Sequence, residues 1–100
     1  MGFSIRREET AEGGAYRIFA EDGAVAGQMT YSRAADGAMV IEHTAVEEAF
    51  GGRGVGQKLV EAALSDARAE KRKIVPVCSY VKRYFEKNAE AVADVAKPGV

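Results

Sequence analysis

The sequence predicts an α+β domain: a mostly antiparallel sheet of about five strands, a central helix after the fourth strand, and further helices at the C-terminus. Three observations predict it. Segments of alternating polarity in the first half are separated by two tight-turn signals, Glu21-Asp22-Gly23 and Ala35-Asp36-Gly37. From Val55 the apolar period changes from two to that of a helix. Beyond that helix lies one short apolar run, IVPVC at 74–78, followed by a second helical segment.

Each element follows from its residues. Phe3 and Ile5 alternate with polar neighbours and open a first strand. AYRIFA (15–20) and AVAGQMTY (24–31) form the next two, joined by the first turn, and the second turn leads into AMVIEHTAV (38–46). Alternation in that strand puts Met39, Ile41, His43 and Ala45 on one face and Val40, Glu42, Thr44 and Val46 on the other. Four strands joined this way make an antiparallel meander. Val55, Leu59, Ala63 and Ala67 then recur every fourth residue, flanked by Val60 and Leu64, while Glu61, Asp66 and Arg68 take the other faces. This is an amphipathic helix, closing near the cations Lys71, Arg72 and Lys73. In IVPVC, Pro76 cannot donate to a ladder and marks an edge or a splay. SYVKRYFEKNAEAVADVA is helical in two pieces with Val81 and Phe85 inward, and KPGV is a tail. No linker or internal repeat divides residues 1–100, which read as one domain.

Composition narrows the partners. Hydrophobic residues at 47% and charged residues at 29% describe an ordinary globular chain, long enough for one modest core. A net charge of −1 argues against a nucleic-acid or anionic-membrane partner. The single cysteine, Cys78, excludes an internal disulfide and fits a reducing, cytoplasmic compartment. MGFSIRRE lacks the apolar core of a signal peptide, and Arg6 stands where N-myristoylation wants Ser or Thr. No apolar run reaches the roughly 18 residues of a membrane span. A monomer without a metal site is expected.

The most informative stretch is AFGGRGVGQKLVEAAL at 49–64. Gly51, Gly52, Gly54 and Gly56 surround Arg53 and Val55 and run directly into the helix. A helix N-terminus presents unpaired N–H groups and the positive end of a dipole, and a glycine-rich approach adds donors that a phosphate or pyrophosphate can reach. Arg53, and Lys58 in the first turn where positive charge opposes the dipole, also call for an anion. Two common phosphate loops are excluded by spacing. After Gly51 and Gly56 come Gln57 and Lys58, not the Lys-Ser/Thr of a P-loop, and no register completes Gly-x-Gly-x-x-Gly. The competing reading is a mobile loop with a helix cap.

Strand, GGRGVG, then helix resembles the acyl-CoA loop of the GNAT superfamily of N-acyltransferases, whose pattern is Arg/Gln-x-x-Gly-x-Gly/Ala; its glycines fall on Gly54 and Gly56. EHTAV before the loop and PVCSYVKRYFEKN after the next strand extend the resemblance to a small single-domain branch of that superfamily, over roughly residues 14–90. It implies a shortened GNAT fold, binding of acetyl-CoA or coenzyme A, and roles for His43 and Cys78 in acyl transfer. Two positions depart from the pattern. Gly51 stands where Arg or Gln is preferred, and Asn88-Ala89-Glu90 stands where the branch continues His-Pro-Glu.

Acyl transfer needs a held thioester, a polarised carbonyl, a base for the incoming amine and a proton for the departing thiolate. The loop residues Gly51, Gly52, Arg53, Gly54, Val55, Gly56, Gln57 and Lys58 are candidates for the coenzyme's phosphates. Thr44, Ala45 and Val46, at the end of a strand splayed from its neighbour, could hold the pantetheine amides as a pseudo-strand and donate to an oxyanion. Histidine is the side-chain type suited to proton removal near neutrality, so His43 is the candidate base; alternatively it faces the core with Ile41 and Ala45. Glu42 reads as a solvated charge. Cys78, before a helix, could carry the acyl group, donate a proton to the leaving sulfur, or pack as a small hydrophobe. Ser79 is that helix's N-cap or a ligand contact, and Tyr84 a phenolic donor or a packing residue. Lys82, Arg83 and Lys87 meet a 3′-phosphate or solvate a helix face. The expected function is acetyl transfer to an unidentified amine. The alternative is a coenzyme A-binding module without efficient catalysis, regulatory or redox-linked through Cys78.

Overall fold

Two Asp-Gly turns make two of the sheet's three hairpins. Asp22 Oδ1 accepts the N–H of Ala24 at 3.0 Å, and Asp36 Oδ1 accepts that of Ala38 at 2.9 Å. Gly23 and Gly37 adopt φ of +90° and +88°, which a side chain would strain. The computed structural model describes residues 2–97. In order come β1 (Ser4–Glu9), β2 (Gly13–Phe19), β3 (Val25–Arg33), β4 (Met39–Val46), a 3-10 turn (Glu48–Phe50), α1 (Val55–Glu70), β5 (Ile74–Pro76), α2 (Ser79–Lys87) and α3 (Ala89–Val92). The sheet order is β1-β2-β3-β4-β5, with β1 to β4 antiparallel and β5 parallel to β4 across the α1 crossover. This is the α+β architecture that the sequence predicts, with the helical C-terminal segment in two pieces as expected.

One apolar core unites all three helices with one face of the sheet. Val55, Leu59, Val60, Ala63, Leu64 and Ala67 of α1, with Val81 and Phe85 of α2 and Val92 of α3, pack against Tyr16, Ile18, Met29, Tyr31, Met39 and Ile41. Burying a side chain such as Leu59 contributes about 1.5–3 kcal/mol. The other face of the sheet is polar. There Arg17 donates to Gln28 at 3.3 Å, and Ser32 donates to Glu42 at 3.0 Å.

Strand β1 is fastened differently from the alternation read in the sequence. Ile5 is exposed, and the anchor is Arg7. Its guanidinium donates to Asp66 and Glu70 of α1 at 3.0 and 2.5 Å and to the Tyr31 hydroxyl at 3.0 Å, lying over the rings of Tyr16 and Tyr31. At the other end, Ala96 bridges to Ile74, and Lys97 pairs with Asp36 at 2.6 Å. The rest of the expected tail, 98–100, lies outside the described residues, as does Met1.

The face assignment in β4 requires correction. Thr30 pairs with His43 but Tyr31 pairs with Ile41, so Glu42 is an extra residue, a β-bulge. One inserted residue exchanges the faces of everything beyond it. Thr44 stands opposite the buried, core-facing Met29, while His43 and Ala45 stand opposite Thr30 and Gln28 on the polar face. His43 and Ala45 are exposed and do not share the core face of Ile41.

Candidate functional site

The glycine loop leads into α1 with its donors unspent. Gly54, the N-cap, adopts φ +74° and offers no side-chain cap, and the first turn holds no acidic residue. The first bond within the helix runs from the Lys58 N–H to the Gly54 carbonyl at 3.0 Å, so helix geometry leaves the N–H groups of Val55, Gly56 and Gln57 for an outside acceptor. Gly52 also has a left-handed φ, +80°, and a Cβ at either Gly52 or Gly54 would meet no atom within 4 Å. These two glycines satisfy the backbone and leave open space above it. Lys58 adds positive charge in the first turn, and the Arg53 guanidinium sits 5.6 Å from the centroid of the Phe50 ring. Unspent donors, open space and two cations fit a pyrophosphate. Gly51 has an ordinary extended conformation. Gly56 is buried beneath Tyr80, which the sequence does not suggest.

Strands β4 and β5 part early. Their pairing covers only Met39–Ile41 with Ile74–Pro76, and the Ile41 carbonyl accepts the N–H groups of both Val77 and Cys78 at 3.0 Å. Beyond that fork, β4 continues to Val46 paired with β3 alone, so Thr44, Ala45 and Val46 border the gap. The parting falls where Pro76 removes a donor from β5.

Cys78 stands at the fork as the N-cap of α2, its carbonyl accepting the Lys82 N–H at 2.9 Å. Its half-buried Sγ lies 3.4 Å from Thr44 Oγ1. Burial pushes the thiol pKa up. The Thr44 hydroxyl and the N–H groups of Val81, Tyr80 and Thr44 outweigh it, so the thiol ionises below its ordinary value. Thr44 reaches the sulfur because the bulge turned it to the core side. The partner of Cys78 is therefore Thr44, and His43 stands on the other face of β4.

The remaining candidates divide. Ser79 is exposed and is the first residue of α2 rather than its cap, since Cys78 takes that position. Tyr84 is half-buried, and burial, then Glu61 and Tyr80, raise its pKa, so it holds its proton as a hydrogen-bond donor. With Gln57, Tyr80, Arg83, Lys87 and Asn88 it lines a hollow of about 250 Å³ between α1 and α2. Arg83 and Lys87 thus flank the start of α1, whereas Lys82 lines a separate groove with Pro76 and Phe85.

Comparison with known proteins follows the same outline. The family model for GCN5-related N-acetyl-transferases matches residues 15–95. A solution structure of a GCN5-like protein from Staphylococcus aureus, proposed to be an N-acetyltransferase, is 33% identical; the match covers 94% of this chain and 87% of that one, with a TM-score of 0.69. The crystal structure of nourseothricin acetyltransferase shares the fold at 16% identity and a TM-score of 0.60, over 87% of this chain and 68% of that one. Among curated proteins none matches the chain.

Proposed function

The chain belongs to the GCN5-related N-acetyltransferase family, and on that premise we propose that it transfers acetyl from acetyl-CoA to an amine by direct transfer. The observation that carries this reading is the pair of faces at one gap. Cys78 with Thr44 stands on the core side of the splayed β4, and His43 stands on its open, polar side.

The coenzyme supplies the acetyl group as a thioester. The N–H groups from Arg53 to Gln57 hold its pyrophosphate, with Arg53 and Lys58 adding charge and Arg83 and Lys87 on the flank. The free edge of Thr44, Ala45 and Val46 takes the pantetheine amides as a short pseudo-strand. His43, exposed to the polar face, accepts the proton of the incoming amine. The Cys78 thiol, ionising below its ordinary value, gives a proton to the departing sulfur and recovers one from solvent. Acid and base then work from opposite sides of the bond being exchanged.

The test is transfer to small amines and peptide N-termini, read together with calorimetric binding. His43→Gln is expected to bind coenzyme A as the parent does and to lose about 10²-fold or more in turnover, the usual weight of general acid–base catalysis. Normal turnover by that variant would end the base assignment. Incubation with acetyl-CoA alone separates the routes: an unchanged protein mass fits direct transfer, whereas one added acetyl mass points to an acyl-Cys78 route. Coenzyme binding with no amine turned over at any pH would leave a binding module.

A further inference from the structure

Gly56 differs from Gly52 and Gly54 in what lies above it. A Cβ at position 56 would stand 2.6 Å from Tyr80 Oη, 2.7 Å from Cζ and 3.0 Å from Cε2. The missing side chain makes room for a phenol ring, and the ring belongs to the first turn of α2. Tyr80 is nevertheless 42% exposed, so apolar burial gives only part of the reason for its seat. The helices offer another. Gly54 gives α1 no side-chain cap, and at α2 only the Cys78 sulfur stands before the free N–H groups. Tyr80 seated on Gly56 braces one first turn against the other.

We propose that Tyr80 is a positioning residue for the thiol: its ring, docked on Gly56, fixes the first turn of α2 against the first turn of α1 and so holds Cys78 in place relative to the glycine loop. The consequence for turnover rests on the transfer reading above; the docking does not. The groups facing the sulfur are the hydroxyl and N–H of Thr44 from β4 and the N–H groups of Tyr80 and Val81 from α2. Two of these four sit on the turn that the ring holds. Loosening that turn lengthens their bonds to a thiolate while leaving Thr44 in place.

The experiment is the pH profile of Cys78 alkylation by iodoacetamide in the absence of coenzyme, on the parent, Gly56→Ala, Tyr80→Ala, Tyr80→Phe and the double variant Gly56→Ala/Tyr80→Ala. Thermal melts accompany each to show that it is folded. In Gly56→Ala the new methyl meets the ring and displaces it; in Tyr80→Ala the ring is gone. Each is expected to raise the alkylation midpoint by about 0.5–1 pH unit, the scale of weakening one hydrogen bond to a charged acceptor. Tyr80→Phe keeps the ring and is expected to match the parent. The double variant is expected to match Tyr80→Ala, because the three atoms nearest a methyl at 56 all belong to the ring that is then absent.

An unshifted midpoint in folded Tyr80→Ala would overturn the proposal. A full additional shift from Gly56→Ala in the Tyr80→Ala background would too, since it would assign Gly56 to something other than the ring. Should Gly56→Ala not fold, Tyr80→Ala against Tyr80→Phe decides alone. A shifted midpoint with no acetyl transfer by the parent would refute the transferase reading and leave the docking intact.

Discussion

The sulfur of Cys78 is acted on by two opposed effects, and the hydrogen bonds win. Half-burial disfavours a thiolate, while the Thr44 hydroxyl and three N–H groups favour it. The expected outcome is that iodoacetamide alkylates Cys78 faster than a free thiol near neutral pH and that coenzyme A protects it. A folded protein whose Cys78 is inert with and without coenzyme would remove the thiol from the mechanism. Part of this site was legible in the chain. A cysteine directly before a helical segment announces a thiol near unpaired N–H groups, and Cys78 stands there. Thr44 as its partner was not legible, nor was the exposure of His43, because alternation counts every residue and Glu42 is counted by neither ladder. The partnership of Gly56 and Tyr80 was equally hidden. Residues 24 apart in the chain give no local sign that one is small for the other's sake.

Among the elements, the turns and the α1 crossover were the most legible, because their signals are local: Asp-Gly turns with glycine at positive φ, and an apolar stripe that all goes into one core. The glycine loop has two separable requirements, and Gly54 carries both. Its φ of +74° strains any side chain, and the space above it is open. Gly54→Ala is therefore expected to lose about 1 kcal/mol of stability through backbone strain and, separately, to weaken coenzyme A binding by placing a methyl in the open space. Calorimetry on the folded variant reads the second effect, and unchanged affinity would move the pyrophosphate elsewhere. At the other end of α1 the strain is already present. Lys71 closes the helix at φ 59°, ψ 44°, a left-handed conformation in a residue with a Cβ. Lys71→Gly is expected to stabilise the domain by about 0.5–1 kcal/mol, visible as a melting point several degrees higher. A lower melting point would mean that the lysine side chain does more than end the helix.

The whole molecule is closed by a ring of ion pairs that hold its two ends to the middle. Arg7 ties β1 to Glu70 and Asp66 of α1; Arg68 of α1 grips Asp94 after α3; Lys97 reaches Asp36 in the turn between β3 and β4. The apolar pattern of β1 and of the C-terminal segment is thin, which is why the sequence described both ends least well. Beside the β1–β2 ladder and the buried Val92 and Val95, these ion pairs span distances in the chain that no periodicity reveals. The cations hold the carboxyls of Asp36, Glu70 and Asp94 below their ordinary values: Lys97 for Asp36, Arg7 and then Arg72 for Glu70, Arg68 for Asp94. A carboxyl whose pKa is depressed in the folded state stabilises the fold above its unfolded pKa of about 4 and loses that contribution as pH falls through the folded value. Stability is accordingly expected to be level from neutrality down to about pH 5 and to decline below it, with added salt weakening the pairs at neutral pH. Asp36 and Asp94 are well exposed, so their individual shares are small, and the sharper signature is spatial. Hydrogen exchange at mildly acid pH should open residues 94–97 and β1 before the ladders of β2, β3 and β4. Uniform opening of the whole sheet with its ends would show that the core, rather than this ring of charges, holds the termini.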